Sequence, residues 1–138
     1  MTKKIIHTFG KRKTSVARAT IADGSGIIRI NNVPLEIYGT ELVRQKIMNS
    51  LNIASDYINL NSINIKVNVK GGGTIGQSDA IANAVSRGLV EWTKNDDLLK
   101  KYLTYDRTLI AGDHRLTEVH KPSQSSKGPR HRRQKSYR

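Results

Sequence analysis

Residues 70–80 read KGGGTIGQSDA. Glycines at 71, 72, 73 and 76 stand just ahead of a stretch with helical periodicity, which places bare backbone amides at the positive end of a helix. Such an arrangement suits a phosphate. The run lacks the Gly-Lys-Ser/Thr ending of a triphosphate loop. It also lacks the parallel unit, with an acid about twenty residues on, that a dinucleotide site requires. Two readings therefore compete, a plain tight turn and contact with an RNA backbone, in which Lys70, Gly71, Gly72, Gly73, Gly76 and Gln77 would take part.

Other chemistry finds little support. His7, His114, His120 and His131 fall at no metal-ligand spacing, and the chain has no cysteine. Asp106, Asp113 and Glu118 each lie beside or within a short step of a basic residue, respectively Arg107, His114 with Arg115, and His120, so ion pairing explains them more simply than acid and base catalysis. No serine sits in a Gly-x-Ser-x-Gly context. The expectation is a protein without catalytic residues, metal, cofactor or small-molecule substrate.

The basic residues are harder to set aside. Gly10-Lys11-Arg12-Lys13 joins two expected strands, Arg18 and Arg29 are expected on neighbouring strands, and Lys66 and Lys70 fall on the polar side of another. The formal net charge is +13, with 17 basic and 11 acidic side chains before position 121. The last 18 residues add seven Lys or Arg, one His, no acid and one apolar side chain, Tyr137. A sequence pI near 10.3 points to a polyanionic partner, because such a surface is costly to concentrate unless phosphates neutralise it. Nucleic acid is the leading candidate. A membrane is not expected, since no segment combines a basic face with the Trp, Phe and Leu that interfacial helices need. No apolar run approaches the length of a signal peptide or a spanning helix, so an intracellular, cytoplasmic protein is expected.

These groups need elements to hold them. Residues 4–9 and 13–22 read as short strands, and Asp23-Gly24-Ser25-Gly26 supplies a turn into Ile27-Ile28-Arg29-Ile30. Val43, Ile47 and Leu51 recur every fourth residue behind Thr40, predicting a helix over about 41–54. From Ser62 to Lys70, Ile63, Ile65, Val67 and Val69 alternate with Asn64, Lys66, Asn68 and Lys70, the pattern of a strand with one dry and one wet face. Thr74 with Gln77 forms a capping-box pattern for a helix whose apolar stripe is Ile81, Val85, Leu89 and Trp92. Asn95 is a candidate cap for a third helix over about 96–103. The fold class predicted is α+β: a two-layer sandwich with helices on one side of a mixed sheet. Residues 1–120 form the domain, and residues 121–138 a separate extended tail.

That tail cannot offset its own ordering entropy, so alone it is expected to lack fixed shape and to order where phosphates line its path. Fully extended, eighteen residues reach roughly 60 Å. If all seven charges met phosphates, the log-log salt slope from the tail alone would be roughly −5. Gly128-Pro129 favours an extended path, and Tyr137 can stack on a base.

Three stretches, GKRKTSVARATI, GGGTIGQSDAIANAVSRGL and the closing KPSQSSKGPRHRRQKSYR, together resemble the family of the ninth protein of the small ribosomal subunit. The likeness runs from about Thr8 to Arg138. The QKSYR ending looks like the archaeal and eukaryotic branch, and Tyr105-Asp106-Arg107 departs from the bacterial Thr-Arg-Asp-Pro-Arg pattern, which puts any bacterial role for Arg107 in doubt. The resemblance implies a cytoplasmic ribosomal protein with a two-layer α+β fold shared with a domain of another ribosomal protein and with some small-molecule kinases. It implies contact with rRNA of the subunit head, with neighbouring head proteins and, through the tail, with peptidyl-site tRNA. Carried over by position, Arg138 approaches the tRNA, with Lys135 nearby. The rRNA-facing set then comprises Lys11, Arg12, Lys13, Arg18, Lys70 and the glycine run in the body, with Lys127, Arg130, His131, Arg132 and Arg133 in the tail. A small phosphotransferase built on Gly71–Gly76 and a DNA-compacting protein are the rival expectations.

Overall fold

The protein was analysed as a computed structural model, which describes residues 4–119. Expectations for residues 120–138 lie outside the described residues.

Five strands, Ile5–Arg12 (β1), Ser15–Asp23 (β2), Ile28–Ile30 (β3), Val33–Pro34 (β4) and Ile63–Lys70 (β5), form one sheet in the order β1-β2-β5-β3-β4. All pairings are antiparallel except β3 with β5, so the sheet is mixed as predicted. Four helices, Glu41–Ser55 (α1), Thr74–Thr93 (α2), Asp96–Tyr105 (α3) and Thr108–Ala111 (α4), pack on one side. The sandwich is α+β with a single core.

Alternation decides which side is covered. On β5, Ile63, Ile65, Val67 and Val69 are buried, and Lys66, Asn68 and Lys70 are exposed. On β2, Ala17, Ala19 and Ile21 continue the dry face. The helices supply Val43, Ile47 and Leu51 from α1, Ile81, Val85 and Leu89 from α2, and Leu98 and Tyr102 from α3. Burial of apolar area is what holds the layers together, at roughly 25 cal/mol per Å². The Tyr102 hydroxyl donates to the Ser50 carbonyl, which ties α3 to α1. Burial pushes this phenol well above its usual pKa.

Small residues let α2 lie low on β1. A Cβ at Gly10 would stand 2.2 Å from the Ala80 carbonyl oxygen and 2.6 Å from the Ala84 nitrogen, so only glycine fits. Beside it the Thr8 hydroxyl donates to the Ala84 carbonyl at 2.8 Å.

Several boundaries differ from the sequence reading. The Gly10-Lys11-Arg12-Lys13 stretch is not a joining loop: β1 continues to Arg12, and Lys13, at φ 52°, starts the short turn into β2. Arg18 and Arg29 are not on neighbouring strands, because β5 lies between β2 and β3. The capping box is also corrected. Gly73, extended at φ −96°, is the N-cap of α2, and its carbonyl accepts from the Gln77 amide. Thr74 is therefore already helical, and the Gln77 side chain donates instead to the Gly71 carbonyl at 3.1 Å. Asn95 does cap α3, its side chain accepting from Asp97 N at 2.8 Å. The helix runs to Tyr105, two residues past the predicted end, and α4 was not anticipated.

Candidate nucleic-acid interface

Strand parity separates two adjacent cations on β1. Arg12 lies on the helix side, where its guanidinium faces Asp113 at 3.4 Å and Asp79 of α2 at 3.8 Å and donates to the Arg115 carbonyl at 3.1 Å. Its side chain is 17% exposed. A residue expected to meet rRNA is thus mostly committed to carboxylates of its own chain. The reason is geometric, since successive strand residues face opposite ways. Lys11 points to the open side and is exposed.

The Arg12 pairings fasten the segment that follows α4. A single parallel bridge joins Arg12 to Asp113. Asp113 also receives the Arg115 amide and guanidinium, each at 3.0 Å. The Arg115 guanidinium, its backbone amide and the Arg12 charge hold the Asp113 carboxyl well below the usual carboxylate range. The expected pairing of Asp113 with Arg115 is present. Asp106 behaves otherwise: it accepts from the Thr108 amide and hydroxyl, both at 2.8 Å, and so braces the start of α4.

The glycine run serves internal packing before anything else. Gly71 and Gly72 have φ of 78° and 68°, a region that side chains rarely adopt, and a Cβ on Gly72 would stand 2.0 Å from Ser15 Oγ. Ser15 is buried and donates to the Gly71 carbonyl at 3.0 Å. The loop is pressed against the β1–β2 turn. Gly73 has open space about its Cβ position, and a concavity of about 350 Å³ opens there, lined by Lys13, Thr14, Gly73, Thr74, Gly76 and Asp79 among others. Asp79 in that lining disfavours a free triphosphate.

On the open side of the sheet, Lys11, Arg18, Arg29, Lys66 and Lys70 are all exposed. Strand register brings Lys66 opposite Arg29 and places Val16 between Lys11 and Lys70. Among the described residues none of these five, nor Lys13, pairs with a carboxylate, whereas Arg12, Lys46, Lys100, Lys101 and Arg115 all do. The carboxylate-paired cations among the described residues thus all lie on the helical side, although Arg44 and Arg87 there meet only backbone carbonyls, and none on the open face or the β1–β2 turn is so paired. Of the expected body residues, Lys11, Arg18 and Lys70 share that face, Lys13 and the glycines lie at one end of it, and Arg12 is turned away. Arg29 and Lys66, left out of the rRNA-facing set, belong with the face; the register that brings them together is invisible from spacing. The tail set Lys127, Arg130, His131, Arg132, Arg133, Lys135, Tyr137 and Arg138 lies outside the described residues.

The sequence profile for "Ribosomal protein S9/S16" matches residues 10–138. The chain belongs to this ribosomal protein S9 family. A relative from Methanococcus vannielii, named small ribosomal subunit protein uS9, is 50% identical over 135 residues, covering 98% of this chain and 99% of its own. One from Methanococcus maripaludis with the same name is also 50% identical over 135 residues. Both relatives are archaeal, in line with the branch suggested by the QKSYR ending. The S9-family match begins at Gly10 and so takes in the β1–β2 turn, the open face and the glycine run. Among the described residues, no helix is long and apolar enough to cross a membrane.

Proposed function

We propose that this chain is a structural constituent of the small ribosomal subunit, not an enzyme, working in the cytoplasmic ribosome. Its domain, residues 1–120, binds rRNA of the head and meets neighbouring head proteins. Residues 121–138 run through RNA toward peptidyl-site tRNA, where Arg138 engages a phosphate, with Lys135 close by and Tyr137 stacked on a base. A planar guanidinium makes two parallel hydrogen bonds to a phosphate, which suits a terminal arginine for this role.

The observation that carries the reading is where carboxylates stand: among the described residues every cation paired with a carboxylate lies on the helical side, while Lys11, Arg18, Arg29, Lys66 and Lys70 of the open face and Lys13 of the adjoining turn have no such pair. Family membership and the names of the relatives support it. Phosphate contacts of this kind position a protein on RNA and make affinity fall with salt.

A chain lacking residues 136–138 tests the tail assignment. It should fold unchanged, assemble into small subunits and hold peptidyl-site tRNA more weakly in filter binding. Retention equal to that of intact subunits at matched salt would exclude the tail role.

A further inference from the structure

The open face has an internal order that a merely basic surface need not have. Strand register arranges its side chains in rows across the sheet. One row runs Lys11, Val16, Lys70; the next runs Phe9, Arg18, Asn68; the third runs His7, Thr20, Lys66, Arg29. Rows two residues apart along a strand are separated by about 7 Å, so the first and third lie roughly 14 Å apart. Each of these outer rows carries two unpaired cations, and the row between offers one arginine and one amide. No acid stands in any of the three rows.

This pattern matches one form of RNA better than the others. A single strand is held mainly by stacking its bases on aromatic rings. The face carries two exposed rings, Phe9 and His7, and both are engaged: the Arg87 guanidinium lies 4.9 Å from the Phe9 ring centre, and His7 Nδ1 lies 3.1 Å from the Thr20 hydroxyl. A folded RNA helix instead presents a wide, shallow groove edged by two phosphate strands and floored with 2′-hydroxyls. A flat sheet can approach such a groove, whereas a narrow B-form groove admits it poorly.

We propose that the open sheet face docks across the minor groove of an RNA duplex, with the Lys11–Lys70 row on one phosphate strand and the Lys66–Arg29 row on the other. Asn68 in the middle row and Thr20 beside Lys66 take 2′-hydroxyls, and Arg18 reaches the centre of the groove. Recognition is of helix form, not of base sequence. This rests on the RNA-binding reading above and adds to it the class of RNA and the surface that meets it.

The test uses the full chain and three fluorescent probes: an RNA duplex of about 16 base pairs, the DNA duplex of the same sequence and one RNA strand alone. Anisotropy is followed from about 50 to about 200 mM salt for wild type, for a face variant (Arg18→Gln, Arg29→Gln, Lys66→Gln) and for a control variant (Lys13→Gln, Arg130→Gln, Arg132→Gln). The substituted body residues are exposed, so melting temperatures should match wild type. The expected result is wild-type preference for the RNA duplex over the DNA duplex. The face variant should lose that preference and show a salt slope shallower by about 2 to 3 units.

The control variant should weaken all three probes alike and keep the preference. A face variant that binds the RNA duplex like wild type, while the control variant is weakened, overturns the duplex proposal and leaves RNA binding standing. Equal loss on the duplex and the single strand overturns the assignment to helix form. A wild-type chain that binds none of the RNA probes overturns the RNA-binding reading itself.

Discussion

Lys11 and Arg12 are adjacent and chemically alike, yet one faces the open side of the sheet and the other is held between Asp79 and Asp113. Charge identity is plain in a sequence; the side of a strand is not, until its register is known. Asp113 provides a direct check. Its pKa is depressed in the folded chain, so its contribution to stability is present above the ordinary value near 3.8 and is lost as the pH falls from there toward the folded value. Carboxyl-carbon NMR should find Asp113 still ionised when ordinary carboxylates are half protonated near pH 4. The glycine run gives a second check. Gly72→Ala places a side chain at φ 68° against Ser15 and should cost about 1 to 3 kcal/mol in urea melts. Gly73→Ala, at φ −96° with open space, meets no clash and should lose only the N-cap preference, about 0.5 to 1 kcal/mol and less than Gly72→Ala. Equal losses at the two positions would contradict the packing role given to the first pair of glycines.

At the scale of elements, the strict alternation of Ile63, Ile65, Val67 and Val69 made β5 legible, because a period of two has few other meanings. The helical stripes of α1 and α2 were equally readable. Caps were less so. Thr40 and Asn95 both occupy N-cap positions, but only the Asn95 side chain accepts a backbone hydrogen bond. Asn95→Ala should therefore cost about 0.5 to 2 kcal/mol, and Thr40→Ala clearly less, in thermal melts of the two variants. Thr74 failed as a cap because Gly73 could take the extended turn one residue earlier. The four-residue α4 escaped notice since it has no periodicity of its own: it is fixed by the Asp106 carboxylate, which accepts from the Thr108 amide, and by Asn83 of α2, whose amide donates to the Thr108 and Leu109 carbonyls at 3.0 and 2.9 Å. Both are tertiary facts. The open face was half legible, with Lys66 and Lys70 evident from β5 alone, while its rows required the order β1-β2-β5-β3-β4.

For the whole molecule, the layered design commits one side of the sheet to the core and leaves the other open, the side to which the proposed RNA binding is given. Charge follows the same division, with a +13 chain that neutralises its cations mainly on the helical side. Removing residues 121–138 should reduce the salt slope of RNA binding by roughly 5 units while leaving the melting temperature of the domain unchanged, measured by titration and by circular dichroism. The border strand carries a further consequence. β1 ends the sheet, and beyond the Phe9 carbonyl, which accepts from Arg87, and the Arg12 bridge to Asp113, its outer rim is a template to which another extended chain can add. Lys11 within β1 and Lys13 just past its end are exposed and without a carboxylate partner among the described residues, and mutual repulsion keeps naked copies apart. Concentrated salt screens that repulsion. Purified protein without nucleic acid should stay clear in dilute buffer and cloud into strand-rich aggregates as ionic strength rises.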